Sequence, residues 1–89
     1  MVSLFPLGRV VATPGALDAL APEEPIALLR RHQSGDWGEV DGHDQRANNR
    51  ALKDGTRVLS SYTTSGGEKV WIITEADRSS TCLLLPSEY

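Results

Sequence analysis

The clearest hydrophobic pattern lies in the last third of the chain, where three runs rich in β-branched, aromatic and leucine residues follow one another. These runs are TRVLSSYTT at 56–64, EKVWIITE at 68–75 and STCLLLP at 80–86. The turns between them are short, one built on Ser65-Gly66-Gly67 and the other on Ala76 to Ser79. Strands joined by such turns pair as antiparallel neighbours. The pattern therefore predicts a three-stranded antiparallel meander.

The length of the turns sets the register of this meander. With four residues in each turn, Leu59, Ile72 and Leu83 share one face, and Tyr62 and Trp71 share the other. Both faces are then apolar, whereas a sheet with one wet face alternates apolar and polar side chains. We expect helices to cover the first face. We expect the N-terminal segment, or packing by the chain's termini, or a second copy in a homodimer to cover the face with Tyr62 and Trp71.

The first half of the chain predicts a strand and then a helix. The run GRVVA at 8–12 is β-branched and short, which is typical of a strand. Thr13 before Pro14 is a helix-start signal, because the threonine can cap free backbone N–H groups and proline is preset for the first helical turn. We expect about two turns of helix, ending before Ala21 and Pro22.

Two further helices are expected before the meander. Segment 22–33 has glutamates at its start and Arg30, Arg31 and His32 at its end, which suits the helix dipole. The third helix should begin at Asp41 or His43 and end at Gly55. Residues 1–89 thus predict a single α+β domain, with an N-terminal short strand and two to three short helices packed on a C-terminal three-stranded antiparallel meander.

Composition and charge narrow the classes of function. The chain is 39% hydrophobic and 24% charged, which is ordinary for a globular protein. Its net charge of -3 leaves no electrostatic footprint for wrapping duplex DNA, which requires clustered Lys and Arg. Local clusters of basic residues either hold a few phosphates or form solvated helix faces. They are Arg30, Arg31 and His32, and Arg46, Arg50, Lys53 and Arg57.

The cysteine content and the hydropathy indicate a cytoplasmic protein. Cys82 is the one cysteine, so neither an internal disulfide nor a thiolate metal cluster can form. Its neighbours predict a strand position, where cysteine behaves as a small hydrophobe. The chain shows no signal peptide and no run of about 20 apolar residues, so we expect no export and no membrane contact.

The segment RHQSGDWGEVDGHD at 31–44 concentrates candidate chemistry. Its histidines and acids are of metal-ligating types, but they follow no recognised metal spacing, and we expect neither a metal nor a cofactor. We interpret GDWG as a turn whose Trp37 plugs onto the core. His32 stands just before this turn and is expected to face outward, either as an acid or base or as a charge that closes the helix end.

A second candidate segment is WIITEADRSST at 71–81. It presents Arg78 in a turn flanked by hydroxyls and by Glu75 and Asp77, a grouping that could bind a phosphate or a carboxylate. These charges could equally pair among themselves in solvent. No nucleophile elbow, serine or cysteine with an evident base, Walker loop or dinucleotide loop occurs in the chain.

Four segments carry a resemblance that covers nearly the whole chain: LGRVVATPGAL, RHQSGDWG, LKDGTRVLSSY and VWIITEADRSSTCLLLP. They resemble a group of small uncharacterised bacterial proteins labelled plasmid-related or, doubtfully, as a type I restriction endonuclease subunit. The resemblance implies a setting among plasmids, phages and other mobile elements. It implies no reaction, since 89 residues are too few for a methyltransferase or a specificity subunit.

A looser resemblance in outline is to the ribonuclease toxins of the RelE and barnase-like group, which also combine helices with a meander. It implies an endoribonuclease in which Tyr62 or Trp71 stacks a base. The catalytic candidates would be His32, Arg57, Glu75 and Arg78. The net acidic charge departs from the group, whose members are commonly basic.

The leading hypothesis is a non-enzymatic accessory protein of mobile elements that binds a protein partner, as an inhibitor of host defence by restriction or CRISPR. Its partner-binding candidates are the aromatic residues Trp37, Tyr62 and Trp71, because aromatic side chains anchor interfaces. The ribonuclease, which would bind RNA, is the first alternative, so the residues leave open whether the protein is an enzyme. A structural dimerisation domain is the second alternative.

Overall fold

A computed structural model describes residues 3–89 and confirms the α+β class. One short strand and three helices precede three strands and a final 3-10 turn. Their bounds are β1 Arg9–Ala12, α1 Pro14–Ala19, α2 Glu24–Gln33, α3 Gly42–Asp54, β2 Val58–Thr63, β3 Lys69–Thr74, β4 Ser80–Leu84 and η1 Pro86–Glu88. None of the helices in this part of the chain has the length and apolar character needed to cross a membrane.

The helix ends lie where local capping chemistry predicts them. The Thr13 hydroxyl accepts a hydrogen bond from the Ala16 N–H at 3.2 Å at the start of α1. The Asp41 carboxylate caps α3 in the same way. Gly55 ends α3 in the left-handed conformation at φ 72°, which glycine adopts without steric cost.

The sheet has four strands in the order β1-β4-β3-β2. The predicted meander is confirmed, with β2 antiparallel to β3 and β3 antiparallel to β4. The predicted N-terminal strand extends this meander, because β1 pairs in parallel with β4. The chain reaches β4 from β1 through all three helices and the two other strands, so this long-range pairing left no local signal in the sequence.

The predicted register is correct between β3 and β4 and wrong by one residue between β2 and β3. Ile72 faces Leu83 as expected, but its partner in β2 is Ser60 and not Leu59. The turn between β2 and β3 has three residues, closed by a hydrogen bond from the Thr64 N–H to the Glu68 carbonyl at 2.7 Å. A shift of one residue moves every side chain of a strand to the opposite face.

The shift separates Tyr62 from Trp71. Tyr62 pairs with Val70 on the face that the helices cover, whereas Trp71 lies on the opposite face. Ala16, Leu20 and Leu28 of α1 and α2 pack on the covered face in one core cluster. A second cluster on that side joins the N-terminal segment, the loop after α2, α3 and β2 through Phe5, Trp37, Ala51 and Val58.

The other face of the sheet, here called the open face, is covered only in part. The C-terminal residue Tyr89 packs edge-on against Trp71 with ring centroids 5.7 Å apart. Ile73 and Leu84 are buried there, whereas Leu59, Trp71 and Cys82 are half-buried. The segment after β4 therefore supplies part of the expected second layer, whereas the N-terminal segment, which was expected there, packs on the covered side through Phe5. Among residues 3–89, no further side chain encloses Leu59, Trp71 and Cys82 completely.

Candidate functional site

His32 is enclosed in the core, so the expectation that it faces outward is wrong. Its side chain has no solvent exposure. It points from the last turn of α2 onto the covered face of the sheet, where the Phe5 ring lies 5.2 Å away and the Trp37 ring 5.8 Å away. Helix α2 lies over the sheet, and the inward side of its last turn is the side that carries His32.

His32 belongs to a hydrogen-bond network in which the donor and the acceptor of each bond can be assigned. The Thr81 hydroxyl donates to the Leu7 carbonyl at 2.7 Å, so toward Thr74 it can only accept. Thr74 donates to it at 2.7 Å and accepts from Nε2 of His32 at 2.9 Å. With this proton on Nε2, the neutral ring accepts at Nδ1 from the Ser60 hydroxyl at 2.6 Å. Both ring nitrogens are therefore occupied by structural partners.

The surroundings of His32 hold the ring in its neutral form. Burial removes the hydration that an imidazolium needs, and the nearby Arg78 cation repels a second charge, so the pKa of His32 is lowered to about 4. A histidine with this pKa stays neutral at neutral pH. The arrangement suits a rigid buried network and does not suit proton transfer to an external substrate.

Arg78 serves as a clamp on the backbone. Its guanidinium donates to the carbonyls of Thr56 at 2.7 Å, Glu75 at 3.1 Å and Ala51 at 3.1 Å. It also lies 5.4 Å from the Phe5 ring centroid, on the ring that contacts His32. The structure thus brings the two central residues of the ribonuclease hypothesis near each other, with Phe5 packed against both where the hypothesis needs an open cleft.

The other two ribonuclease candidates lie apart from that cluster. Arg57 stands before β2, and its Nη1 donates to the Tyr89 hydroxyl at 2.6 Å. Glu75 is exposed in the turn after β3, and its carbonyl receives the Arg78 bond. The four candidates therefore have different roles in the fold, and the ribonuclease remains a prediction from the sequence.

The GDWG loop is a structural element, as the turn interpretation predicts. Trp37 is 3% exposed, and its indole N–H donates to the Asn49 side chain at 3.1 Å. A side chain at Gly38 would place its Cβ 2.1 Å from the Ser61 carbonyl oxygen, so only glycine fits there. The Tyr62 hydroxyl donates to the Asp36 carbonyl at 2.5 Å and is buried beneath the loop.

Of the three predicted partner-binding aromatics, Trp71 is the one with a half-exposed side chain. Trp37 and Tyr62 belong to the two core clusters. Trp71 lies on the open face in contact with Tyr89, which is 67% exposed. The Arg57 guanidinium lies 5.3 Å from the centroid of the Tyr89 ring. We call the group of Arg57, Leu59, Trp71, Cys82 and Tyr89 the Trp71 surface.

The C-terminal segment positions Tyr89 on this surface. The Glu88 carboxylate accepts from the Thr13 hydroxyl at 2.5 Å, from the Gly15 N–H at 3.2 Å and from the Leu85 N–H at 2.8 Å. These bonds tie the end of the chain to the start of α1. Sequence reasoning missed the role of Tyr89; the available signal was the motif LPSEY, whose proline turns the chain back after β4.

Cys82 is a packing residue of the open face. Burial raises the pKa of its thiol, and the negative charges of Glu88 and Glu75 raise it further. A thiol in this environment stays protonated and is a poor nucleophile. The expectation of a strand cysteine that acts as a small hydrophobe is confirmed by its place in β4.

Acidic residues and a histidine meet at the exposed start of α3. Asp41, His43 and Asp44 have ligand atoms within 4.8 Å of one another. The Asp41 carboxylate already caps the helix by accepting from the Asp44 N–H at 2.8 Å. His32, the other histidine of this segment, is buried away from them. The cluster is therefore explained by helix capping.

Comparisons of this chain with family models, with curated proteins and with solved structures gave no match. The likeness to the plasmid-related proteins accordingly stays a resemblance. The functional assignment depends on the chemistry of this chain's own surface.

Proposed function

We propose that this protein is a non-enzymatic accessory protein that binds a protein partner through the Trp71 surface. The observation that supports the proposal most directly is the partly covered open face, where half-buried apolar side chains lie beside an exposed cation. When a partner covers exposed apolar groups on a sheet face, the free energy falls by roughly 25 cal/mol per Å² of apolar area removed from water.

The composition of the Trp71 surface supports an interface. Trp, Tyr and Arg are the residue types that contribute most to binding free energy at protein interfaces. Here the Trp71 and Tyr89 rings are already in contact, and Arg57 is already bound to Tyr89. Side chains held in place before binding lose little conformational entropy when the partner arrives.

Charge indicates the chemistry of the partner. In residues 3–89 the carboxylate pairs of arginine and lysine are Arg31 with Asp36 and Lys69 with Glu39, so Arg57 has no carboxylate within ion-pair distance. An exposed guanidinium beside aromatic rings suits a carboxylate next to an apolar side chain. We therefore infer a partner that presents apolar side chains with a carboxylate opposite Arg57. We infer no carboxylate opposite Cys82, where Glu75 and Glu88 already place negative charge.

The resemblance to plasmid-related proteins supports the biological setting of the proposal. In this setting the partner is a component of a host defence system, restriction or CRISPR, and the protein acts in the cytoplasm as its inhibitor. The burial of His32 and the engagement of Arg78 with backbone carbonyls favour a binding role over the ribonuclease alternative.

The test compares two substitutions that make the same change of charge. Arg57→Glu alters the Trp71 surface, and Arg50→Glu alters the exposed side of α3. Each variant and the wild type are expressed in a restricting host and in a host with an active CRISPR system, and the entry of a targeted plasmid is counted. We expect the wild type and Arg50→Glu to raise plasmid entry in one of these hosts, and Arg57→Glu to lose the effect.

Binding is then measured by titration calorimetry with the purified defence complex of the responsive host. We expect Arg57→Glu to weaken binding by about 10- to 100-fold, the range for an interface arginine, and Arg50→Glu to leave it unchanged. Equal binding by both variants would exclude the Trp71 surface as the site. Failure of the wild type to protect plasmids in either host would exclude the inhibitor role.

A further inference from the structure

In residues 3–89, strand β1 forms one end of the sheet, and its outer edge has no backbone partner. Its inner edge is bonded to β4, with the Arg9 N–H donating to Ser79 at 2.9 Å and the Thr13 N–H donating to Leu83 at 3.0 Å. Successive residues of a strand direct their backbone groups to alternate sides. The N–H and C=O groups of Val10 and Ala12 therefore point away from β4, at the end of the strand order.

The side chains at this edge do not block pairing. Val10 is 45% exposed and Val11 is 40% exposed. Edge strands are commonly protected from association by short length, a charged side chain, a proline or a bulge. Strand β1 is short and has one charge, Arg9 at its first position, whereas Val10, Val11 and Ala12 have no charge, proline or bulge.

We propose that two copies of this chain pair through β1 as an antiparallel, two-fold symmetric dimer with the axis at Val11. In this register Val10 exchanges two backbone hydrogen bonds with Ala12 of the other copy, and symmetry doubles the number to four. The two Val11 side chains then lie opposite each other across the axis.

The self-pairing suits the residues of β1. Val10 meets the small Ala12, Val11 meets Val11, and Arg9 meets Thr13, so no like charges face each other directly. The two arginines are at opposite ends of the pairing. The exposed segment is therefore complementary to itself in charge and in side-chain size, and on this ground we infer a second copy as the occupant.

The dimer extends the sheet to eight strands and leaves the Trp71 surface free. Residues that face each other in an antiparallel pair lie on the same face, so both open faces are on the same side of the joined sheet. The inference uses β1 and is independent of the proposed partner site. Pairing of four-residue strands makes a small interface, and we expect a Kd of about 10 µM, typical of transient association.

Sedimentation equilibrium of the full chain over a range of concentrations tests the dimer. We expect Val11→Lys to be monomeric, because two lysines would face each other at the axis. Val11→Glu should be monomeric for the same reason, and an equimolar mixture of the two variants should form a heterodimer. A wild type that is monomeric up to about 1 mM, roughly a hundred times the expected Kd, would overturn the proposal.

A cysteine pair tests the register directly. In a Cys82→Ala background, Val11→Cys places two thiols opposite each other at a Cα separation of about 4.5 Å, which a disulfide can span. In Val10→Cys, each cysteine faces Ala12 of the other copy. The two thiols are then offset by two residues along the strands, too far apart for a disulfide. We expect oxidation to cross-link the first variant and not the second. Equal cross-linking of both, or of the second alone, would exclude this register.

Discussion

The outer edge of β2 is paired with this chain's own groups, whereas no strand of the described part of the chain lies at the outer edge of β1. At β2, the Ser61 N–H donates to the Trp37 carbonyl at 3.0 Å, and the Glu39 N–H donates to the Ser61 carbonyl at 2.7 Å. Asn48 occupies a second position of this edge, because its side-chain amide bonds both the N–H and the carbonyl of Leu59. One helix residue thus replaces a strand neighbour.

The difference shows how a small domain can protect one sheet edge and leave the other available for association. The GDWG loop and α3 together satisfy the backbone at β2, which explains why that loop contains a buried tryptophan and a glycine that no other residue can replace. Unpaired backbone groups at a sheet edge favour pairing with another chain. Association through the sheet edge is therefore directed to β1.

The largest expected effect follows from removing the amide that protects the β2 edge. Asn48→Ala leaves the N–H and the carbonyl of Leu59 without their partners at a part-buried site. We expect the free energy of unfolding to fall by about 3 kcal/mol, since each abandoned group costs roughly 1–3 kcal/mol. Urea unfolding measures this change.

The matched control is Asn49→Ala, which removes one hydrogen bond to the Trp37 indole and leaves the β2 edge intact. We expect it to cost about 1 kcal/mol. If the two variants are equally stable, Asn48 does not act as a strand neighbour.

An effect of intermediate size is expected from His32, which is buried on the covered face and bonded to Ser60 of β2. It makes the free energy of unfolding depend on pH. The pKa of His32 is about 4 in the folded protein, against 6.5 for an unperturbed histidine. As the pH falls below 6.5, the unfolded state therefore binds a proton before the folded state does. The full contribution to stability is present above pH 6.5 and is lost as the pH falls toward 4.

Between pH 6.5 and 5 we expect the wild type to lose about 1.5 kcal/mol of unfolding free energy, because the slope approaches 1.36 kcal/mol per pH unit only below the pKa of the unfolded histidine. Five carboxyl groups also have lowered pKa values, but they affect stability mainly below pH 5; they are Glu24, Asp36, Glu39, Asp77 and Glu88. His32→Asn should be less stable at pH 7 and nearly independent of pH in the same window. A wild type with flat stability there would show that His32 can be charged in the fold.

The smallest expected effect is at the β1 edge. Val10→Lys adds a charge beside backbone groups that point to solvent, so the folded monomer loses little. We expect a change in unfolding free energy within about 0.5 kcal/mol at protein concentrations far below the dimer Kd. Thermal unfolding of dilute protein measures it. A loss comparable to that of Asn48→Ala would mean that the β1 edge and the β2 edge contribute equally to the stability of the folded monomer.

Local chemistry in the sequence determined the elements and their ends. The caps Thr13 and Asp41 and the terminator Gly55 act on backbone groups within a few residues, so they could be recognised without any knowledge of the packing. The α+β class and the meander could also be predicted locally, because the meander depends on β-rich runs joined by short turns. The prediction failed at the turn before β3. A turn of three residues and a turn of four residues give registers that differ by one residue, and these registers place Tyr62 on opposite faces of the sheet.

The candidate site was predicted only in part. Trp71 was selected as an aromatic residue of a central strand, and it does lie on the open face. Tyr89 and Arg57, which complete the surface, are 32 residues apart in the sequence and meet through a side-chain hydrogen bond. No short-range pattern links them.

Only the tertiary structure determined which of the residues suited to catalysis or binding are accessible to a substrate or a partner. His32, Arg78 and Trp37 have residue types suited to catalysis or binding, yet the packing of α2, Phe5 and the GDWG loop gives them structural partners. Accessibility depends on contacts between segments that are distant in the chain. The sequence by itself specified the strands, the helices and their caps, and the long-range packing determined which sheet face and which edge remain open.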